Sequence, residues 1–227
     1  MKKLVLSLIL TGWFLQASVA QEYTHFSSNY FIGNSSYSLH KGEGYYANTL
    51  LFFNDFYYGV TDNVSVGTGF ISTFLLGNAP VPIWFKLKAA VPLGDDFHIS
   101  GGVSAFTVLG EDNFFLRGFH LTPYLGLTVG NPYKNISVNG YFITSFDEFS
   151  FWVLSLSGKI PVSPRTHLMA DLFFPMINQV MLHGTFDIVG FTTGFKGLAL
   201  DYGLMFPLFE NMGRPIFIPY LGVKVPL

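Results

Sequence analysis

A histidine and a serine two residues apart, His98-Ile99-Ser100, are the first residues of this chain that could do chemistry. On an extended strand, residues i and i+2 share a face, so the imidazole could act as base to the hydroxyl in acyl transfer. His167 with Asp171, and His183 with Asp187, are same-face pairs four apart. At strand rise roughly 13 Å separates such partners, which forbids a hydrogen bond within one strand but allows a His–Asp contact between the two. The six histidines are otherwise scattered, without the i, i+4 spacing of a helical metal site, and there is no cysteine. Gly67, Gly69, Gly101 and Gly102 precede no helix, so they read as strand bends or close backbone approaches rather than phosphate loops. No catalytic residue, metal ligand or cofactor site is assigned on these grounds.

The elements that must position these residues follow from composition. Hydrophobic residues make up 50% of the 227 and aromatics 18%, while charged residues are only 11%. A soluble domain carries roughly 25% charged residues, so the excess apolar surface fills an unusually large core or faces lipid. The 26 Phe and 12 Tyr exceed what a core needs and suit membrane interfaces. At the N-terminus Lys2 and Lys3 precede an apolar run from Leu4 to Leu15, followed by small residues at Ser18-Val19-Ala20. That is the pattern of a secretory signal peptide over residues 1–20, leaving 21–227 as one domain. The apolar run is shorter than the ~20 residues of a spanning helix. Without Lys2 and Lys3 the chain is mildly acidic, and no Lys/Arg run follows, so nucleic acid is not an expected partner.

Past residue 20, Gly, Pro or a charge interrupts every apolar stretch before it reaches helix-spanning length. The other way across a bilayer is a closed sheet, in which every backbone polar group is satisfied without water. Its signature, segments of about 10 residues alternating in polarity between turn residues, recurs along the chain. In Val81–Pro92, Ile83, Phe85, Leu87, Ala89 and Val91 oppose Trp84, Lys86, Lys88 and Ala90. In Phe97–Leu109, Ile99, Val103, Ala105 and Leu109 oppose His98, Ser100 and Ser104; over 115–129, Phe119, Leu121, Leu125 and Leu127 oppose His120, Thr122, Tyr124 and Thr128. Leu168, Ala170, Leu172 and Phe174 oppose His167 and Asp171; Val180, Leu182, Phe186 and Ile188 oppose His183 and Asp187; Phe217, Leu221, Val223 and Val225 oppose Tyr220 and Lys224.

Tight turns are expected at 61–63, 92–96, 130–134, 163–165 and 195–197, and opposite connections at 76–80, 110–113, 145–149, 175–179 and 210–215. With the tight set periplasmic, one further strand over residues 28–39 and a hairpin at Lys41-Gly42-Glu43-Gly44 complete the count. The expectation is an all-β, closed antiparallel transmembrane barrel of about 12 strands, an even number. Because 28–39 alternates poorly, the alternative is a plug inside a barrel of about 10.

The stretches Lys41-Gly42-Glu43-Gly44-Tyr45-Tyr46 with Asn48, and Tyr58-Gly59-Val60-Thr61-Asp62-Asn63-Val64-Ser65-Val66-Gly67, resemble the opening hairpin of small uncharacterised Gram-negative outer-membrane barrel proteins. The run Phe195-Lys196-Gly197-Leu198-Ala199-Leu200-Asp201-Tyr202-Gly203-Leu204-Met205-Phe206-Pro207 looks like their late hairpin. The resemblance implies the fold and no activity. Such barrels usually end in an aromatic, whose place Leu227 takes here, in register with Val225 and Val223. His98-Ile99-Ser100 resembles the dyad of a barrel lipid A deacylase. Its spacing is common by chance, and both residues point to the lumen near the periplasmic end.

Under this register Lys86, Lys88, His98, Lys159, His167, Asp171, Asp187, Asp201 and Lys224 point inward. An ion-paired network filling a narrow barrel is the first expectation, since buried charges are seldom left unpaired. A charged constriction selecting small solutes is the second. Phe52-Phe53 and Tyr57-Tyr58 read as interface-girdle residues, with a gateway for hydrophobic ligands as the alternative. The favoured function is a monomeric outer-membrane barrel, a narrow passive channel or a structural protein, with membrane lipid and the barrel assembly machinery as partners. A carrier of small hydrophobic compounds and a lipid-modifying enzyme are the competing classes. Short loops argue against an adhesin or a large trimeric porin, and a soluble ligand-binding barrel is the rival fold.

Overall fold

The computed structural model describes residues 24–73, 80–109, 120–144, 150–177, 180–181, 184–209 and 216–227. The proposed signal peptide, His183 and most of the longer connections therefore lie outside the described residues. Among the described residues, no helix is long and apolar enough to cross a membrane. The chain forms strands instead: β1 (Gly44–Thr49), β2 (Phe53–Thr61), β3 (Val64–Ile71), β4 (Val81–Pro92), β5 (Phe97–Leu109), β6 (His120–Gly130) and β7 (Asn135–Thr144). These are followed by β8 (Ser150–Pro161), β9 (Thr166–Ile177), the two-residue β10 (Val180–Met181), β11 (Gly184–Phe195), β12 (Leu198–Phe209) and β13 (Ile218–Pro226).

Each wall strand pairs antiparallel with its sequence neighbours; β10 folds back on the end of β9, and β11 takes the next place in the wall. The β1–β13 ladder, Tyr45 opposite Pro226 through Thr49 opposite Gly222, closes the ring into a barrel of twelve strands. Closure leaves no strand without a neighbour on both sides.

The alternation read from the sequence places side chains as expected along most of the wall. Phe85, Leu87, Val91, Ile99, Leu121, Leu125, Leu127, Leu154 and Leu221 stand exposed on the outside, where they form an apolar belt. Between them Lys88, Ser100, Thr128, Ser137, Asn139, Ser155, Ser157, Lys159, His167, Asp171, Asp201 and Lys224 are buried on the inner face.

Three expectations are corrected. Residues 28–39 are not a wall strand. They lie inside the barrel as a plug, folded back on themselves by an isolated Asn29–Asn34 bridge and a Tyr30 N–H to Gly33 carbonyl bond of 2.9 Å. The barrel nevertheless keeps twelve strands rather than ten, because the segment read as one strand before Thr61 is two. Thr49-Leu50-Leu51-Phe52 reverses the chain, with Phe52 N–H donating to the Thr49 carbonyl at 3.2 Å and positive φ at Leu50 (52°) and Leu51 (66°). This is the two-residue hairpin geometry that ordinarily selects Asn-Gly; left-handed Leu costs roughly 1–2 kcal/mol per residue. Finally, Lys41-Gly42-Glu43-Gly44 is no wall hairpin but the exit of the plug. It lies against the turn at 61–63, where Lys41 N–H donates to the Asp62 carboxylate at 3.0 Å.

Candidate functional site: a plugged lumen and its vestibule

The plug, residues 24–43, enters and leaves at the end of the barrel that carries the tight turns. Thr24 N–H donates to the Phe195 carbonyl at 3.1 Å, and Gly42 N–H to the Gly59 carbonyl at 2.9 Å. Its sequence suits this position: Ser28 and Ser36 are small enough to approach a wall and polar enough to bond it, Ser28 Oγ donating to Tyr45 Oη at 3.3 Å. Ser36 N–H donates to Thr128 Oγ1 at 2.7 Å, and Ser36 Oγ meets Ser100 Oγ at 2.9 Å. Asn139 Nδ2 donates to the Asn34 carbonyl at 3.0 Å, and Tyr30 O–H to Asn135 Oδ1 at 2.6 Å.

The charges of the wall bind mostly plug backbone. Asp171 Oδ2 accepts both Ile32 N–H and Gly33 N–H at 2.9 Å. Lys88 Nζ donates to the Ser28 and Tyr37 carbonyls at 2.9 and 2.6 Å, Lys159 Nζ to the Phe26 carbonyl at 3.2 Å and Lys224 Nζ to the Tyr30 carbonyl at 2.9 Å. A buried charge is costly unless bonded, and the plug supplies those bonds. Gly33 is required at the tip: a Cβ there would stand 2.5 Å from Ser157 Oγ and 2.9 Å from Asp171 Oδ1.

Apolar contacts hold the opposite side of the plug. Tyr30 and Phe31 pack with Met169, Ile188 and Tyr220, flanked by Phe186 and Met205. Ile188 lies opposite Asp171 and Met205 in the two adjoining ladders. Directly opposed residues share a face, so Phe186 and Ile188 point inward and Asp187, opposite Leu172 and Phe206, points outward. This reverses the expected phase of β11 and removes Asp187 from the lumen set. Its carboxylate accepts Thr185 O–H at 3.0 Å on the outer face.

The remaining inward-reading residues do face the lumen, but not as one ion-paired network. Lys224 pairs with Asp201 at 2.8 Å; Lys86 pairs at 2.9 Å with Asp55, a residue the sequence reading passed over. Asp55 also accepts Trp84 Nε1–H at 2.7 Å. Its inward position is legible once Thr49–Phe53 is known to be a turn. His98 lies against the Tyr37 ring (4.4 Å between centroids) while Ser100 meets Ser36, so the plug occupies both members of the proposed dyad. His167 lies against His25 (4.7 Å). Burial, and then the charge of Lys159, hold the His25 imidazole below its ordinary pKa.

Above the plug tip the described residues leave the other half of the lumen open. A cavity of about 400 Å³ is lined by Phe31, Ile32, Phe53, Phe186, Met205 and Ile218. At its base are Tyr57, Tyr220 and the two ion pairs, Asp55–Lys86 and Asp201–Lys224. Phe53 and Tyr57, expected at the interface girdle, thus belong to the lumen. Ile32, at the tip of the plug, is 50% exposed to this vestibule. Its volume lies in the usual range of small-molecule sites, about 300–1,000 Å³. Its formal charges cancel, and its walls are predominantly apolar.

Among described residues, no group of three or more His, Cys, Asp and Glu could hold a metal. The fold and lumen define a plugged, twelve-stranded up-and-down β-barrel with a one-sided vestibule. Compared with known proteins, the chain matches no family model and no curated protein.

Proposed function

We propose that this protein is an outer-membrane barrel whose vestibule takes up a small, uncharged and mainly apolar compound, with residues 24–43 closing the half of the lumen behind it. The observation that carries this reading is the contrast along the lumen axis. Behind Ile32 the lumen is filled by buried, hydrogen-bonded polar groups; in front of it lies an apolar vestibule. A compound with net charge would have to compete with an ion pair already formed at the base, whereas an uncharged apolar one gains by leaving water.

The external apolar belt and the even number of strands, with Thr24 and Leu227 both on the tight-turn side, support an outer-membrane setting with that side periplasmic. The filled lumen argues against a standing passive channel. The engagement of His98 and Ser100 by the plug favours binding over hydrolysis. Membrane lipid is the expected surroundings, and the assembly machinery the expected route into it.

Trp84 makes the reading testable. Of the three Trp, Trp13 lies in the proposed signal, Trp152 on the outer face, and Trp84 beside the vestibule through its bond to Asp55. In the processed Trp152→Phe protein in micelles, bromonaphthalene is expected to quench Trp84 saturably. Phe53→Lys is expected to weaken this binding by about tenfold, a 1.4 kcal/mol change. Quenching that rises linearly with probe, unaffected by Phe53→Lys, would reject the vestibule as a binding site. Recovery in outer membranes with a heat-dependent gel mobility tests the location.

A further inference from the structure

The wall around the vestibule is not of even height. β1 has 6 residues, β3 has 8 and β2 and β13 have 9, whereas β4, β8 and β12 have 12 and β5 has 13. At the vestibule β13 runs on to Ile218, past its last partner on β1, Gly222 opposite Thr49, whereas β3 ends level with β2, Ile71 opposite Phe53. At about 3.3 Å per residue along strands tilted about 40°, the hairpin tip at Leu50, bonded to Leu221, stops roughly 8 Å below the start of β13. Among the described residues, the β13–β1 ladder ends at Thr49 opposite Gly222, and the last bond across it runs from Leu50 N–H to the Leu221 carbonyl at 2.8 Å. Ile218 and Tyr220, above that point, line the vestibule, as do Thr49, Leu50 and Phe53 at the hairpin tip.

The chemistry of that tip identifies its surroundings. A turn in water with two positive-φ positions takes Asn, Asp or Gly; this one carries Leu50 and Leu51, and Leu51 is 76% exposed. A second observation is independent of the turn. The outward-facing polar groups just below it bond one another: Tyr46 O–H and Asn48 Nδ2 donate to Asn54 Oδ1 at 2.7 and 3.0 Å, and Asn54 Nδ2 donates to Ser72 Oγ at 2.8 Å. The Phe52 carbonyl of the tip is met by Ser72 N–H at 2.9 Å and Asn54 Nδ2 at 2.8 Å. An outer face facing hydrocarbon must satisfy its polar groups internally; one facing water need not.

We infer that the vestibule is reached from the side: the β1–β2 tip ends within the hydrocarbon, and the opening above it, beside the start of β13 that has no partner on β1, admits apolar compounds dissolved in the bilayer. This rests on the vestibule being a site for such compounds, and it specifies the source. Substrates are taken from, or delivered to, the membrane rather than the water beyond the loops. The route follows from geometry and solvation alone, since an apolar molecule moving between lipid and an apolar vestibule never crosses water.

The experiment uses the full processed chain in liposomes containing a phospholipid with a diazirine near the end of one acyl chain. Photolysis followed by peptide mapping reads which side chains the chain ends touch. Adducts are expected on the inward-facing Phe53 and Ile218, in yields comparable to those on the belt residue Leu125, and lost when bromonaphthalene saturates the vestibule. Adducts confined to outward-facing residues would overturn side access. If bromonaphthalene still quenches Trp84 saturably in micelles, the vestibule reading survives that result; if it does not, both fail together. A fluorophore on Leu51→Cys gives the second readout. Quenching by nitroxides in the acyl region is expected, and quenching by aqueous iodide alone would place the tip in water and reject the inference.

Discussion

The two halves of the lumen solve the same problem, charges inside a barrel, in different ways. In the filled half Lys88, Lys159 and Asp171 bind main-chain carbonyls and N–H groups of the plug. At the open half Asp55 and Lys86 bind each other. Lys224 stands at the boundary and does both, holding Asp201 and the Tyr30 carbonyl. The first arrangement makes the wall specific for a chain whose backbone groups come at fixed intervals. The second leaves the vestibule electrically neutral and free to accept a ligand. A lumen rich in ionisable residues is thus no sign of an ion path; what matters is whether each charge already has its partner.

Removing the plug should blur that distinction most. Deletion of residues 24–39 is expected to leave a folded barrel, since the β13–β1 ladder closes without them, while exposing the unpartnered wall charges. Planar-bilayer recordings should change from little conductance to resolvable steps. Equal conductance with and without the plug would mean the filled half is not the barrier. Asp171→Ala comes next. It strands two N–H groups at the tip, at a cost of roughly 2–4 kcal/mol, and should raise the labelling rate of a cysteine placed at Ser35, while Asp187→Ala on the outer face should not.

Leu51→Lys probes the open half. A Lys in the hydrocarbon costs roughly 2–4 kcal/mol at the midplane and less toward the interface, so the temperature of the gel mobility shift should fall. An unchanged temperature would say that the tip is wetted. The smallest effect expected is one of pH. With the folded pKa of His25 below its ordinary 6.5, the contribution of the neutral imidazole is complete above that pH and is lost as pH falls below it. Lys159, His167 and Tyr133 surround the ring. Labelling of the Ser35→Cys plug should therefore quicken modestly on acidification, and His25→Phe should flatten the profile.

The alternation Ile83/Phe85/Leu87 against Lys86/Lys88 was readable without a structure, because a wall between an apolar outside and a polar interior imposes a period of two on every residue. The same rule misplaced Phe186 and Ile188, which are apolar yet inward. They face Tyr30 and Phe31 of a segment far away in sequence, and no local pattern announces that the lumen is apolar at that point. The Thr49-Leu50-Leu51-Phe52 turn was hidden for a related reason. Turn residues are recognised by their compatibility with water and with positive φ, and this turn satisfies neither preference. Asp55 was missed along with it, since its face depends on where the strand begins.

What the sequence determined by itself was the wall: its composition, its period and its tight turns describe a closed sheet with an apolar outside, because those are local consequences of a solvent boundary. Only the tertiary structure decided that residues 24–43 lie within the wall and not in it, and that the β1–β2 hairpin ends below the start of β13. Both depend on contacts between residues more than a hundred positions apart, such as Gly33 with Asp171. Such contacts exist only once the ring has closed and set the width of its interior.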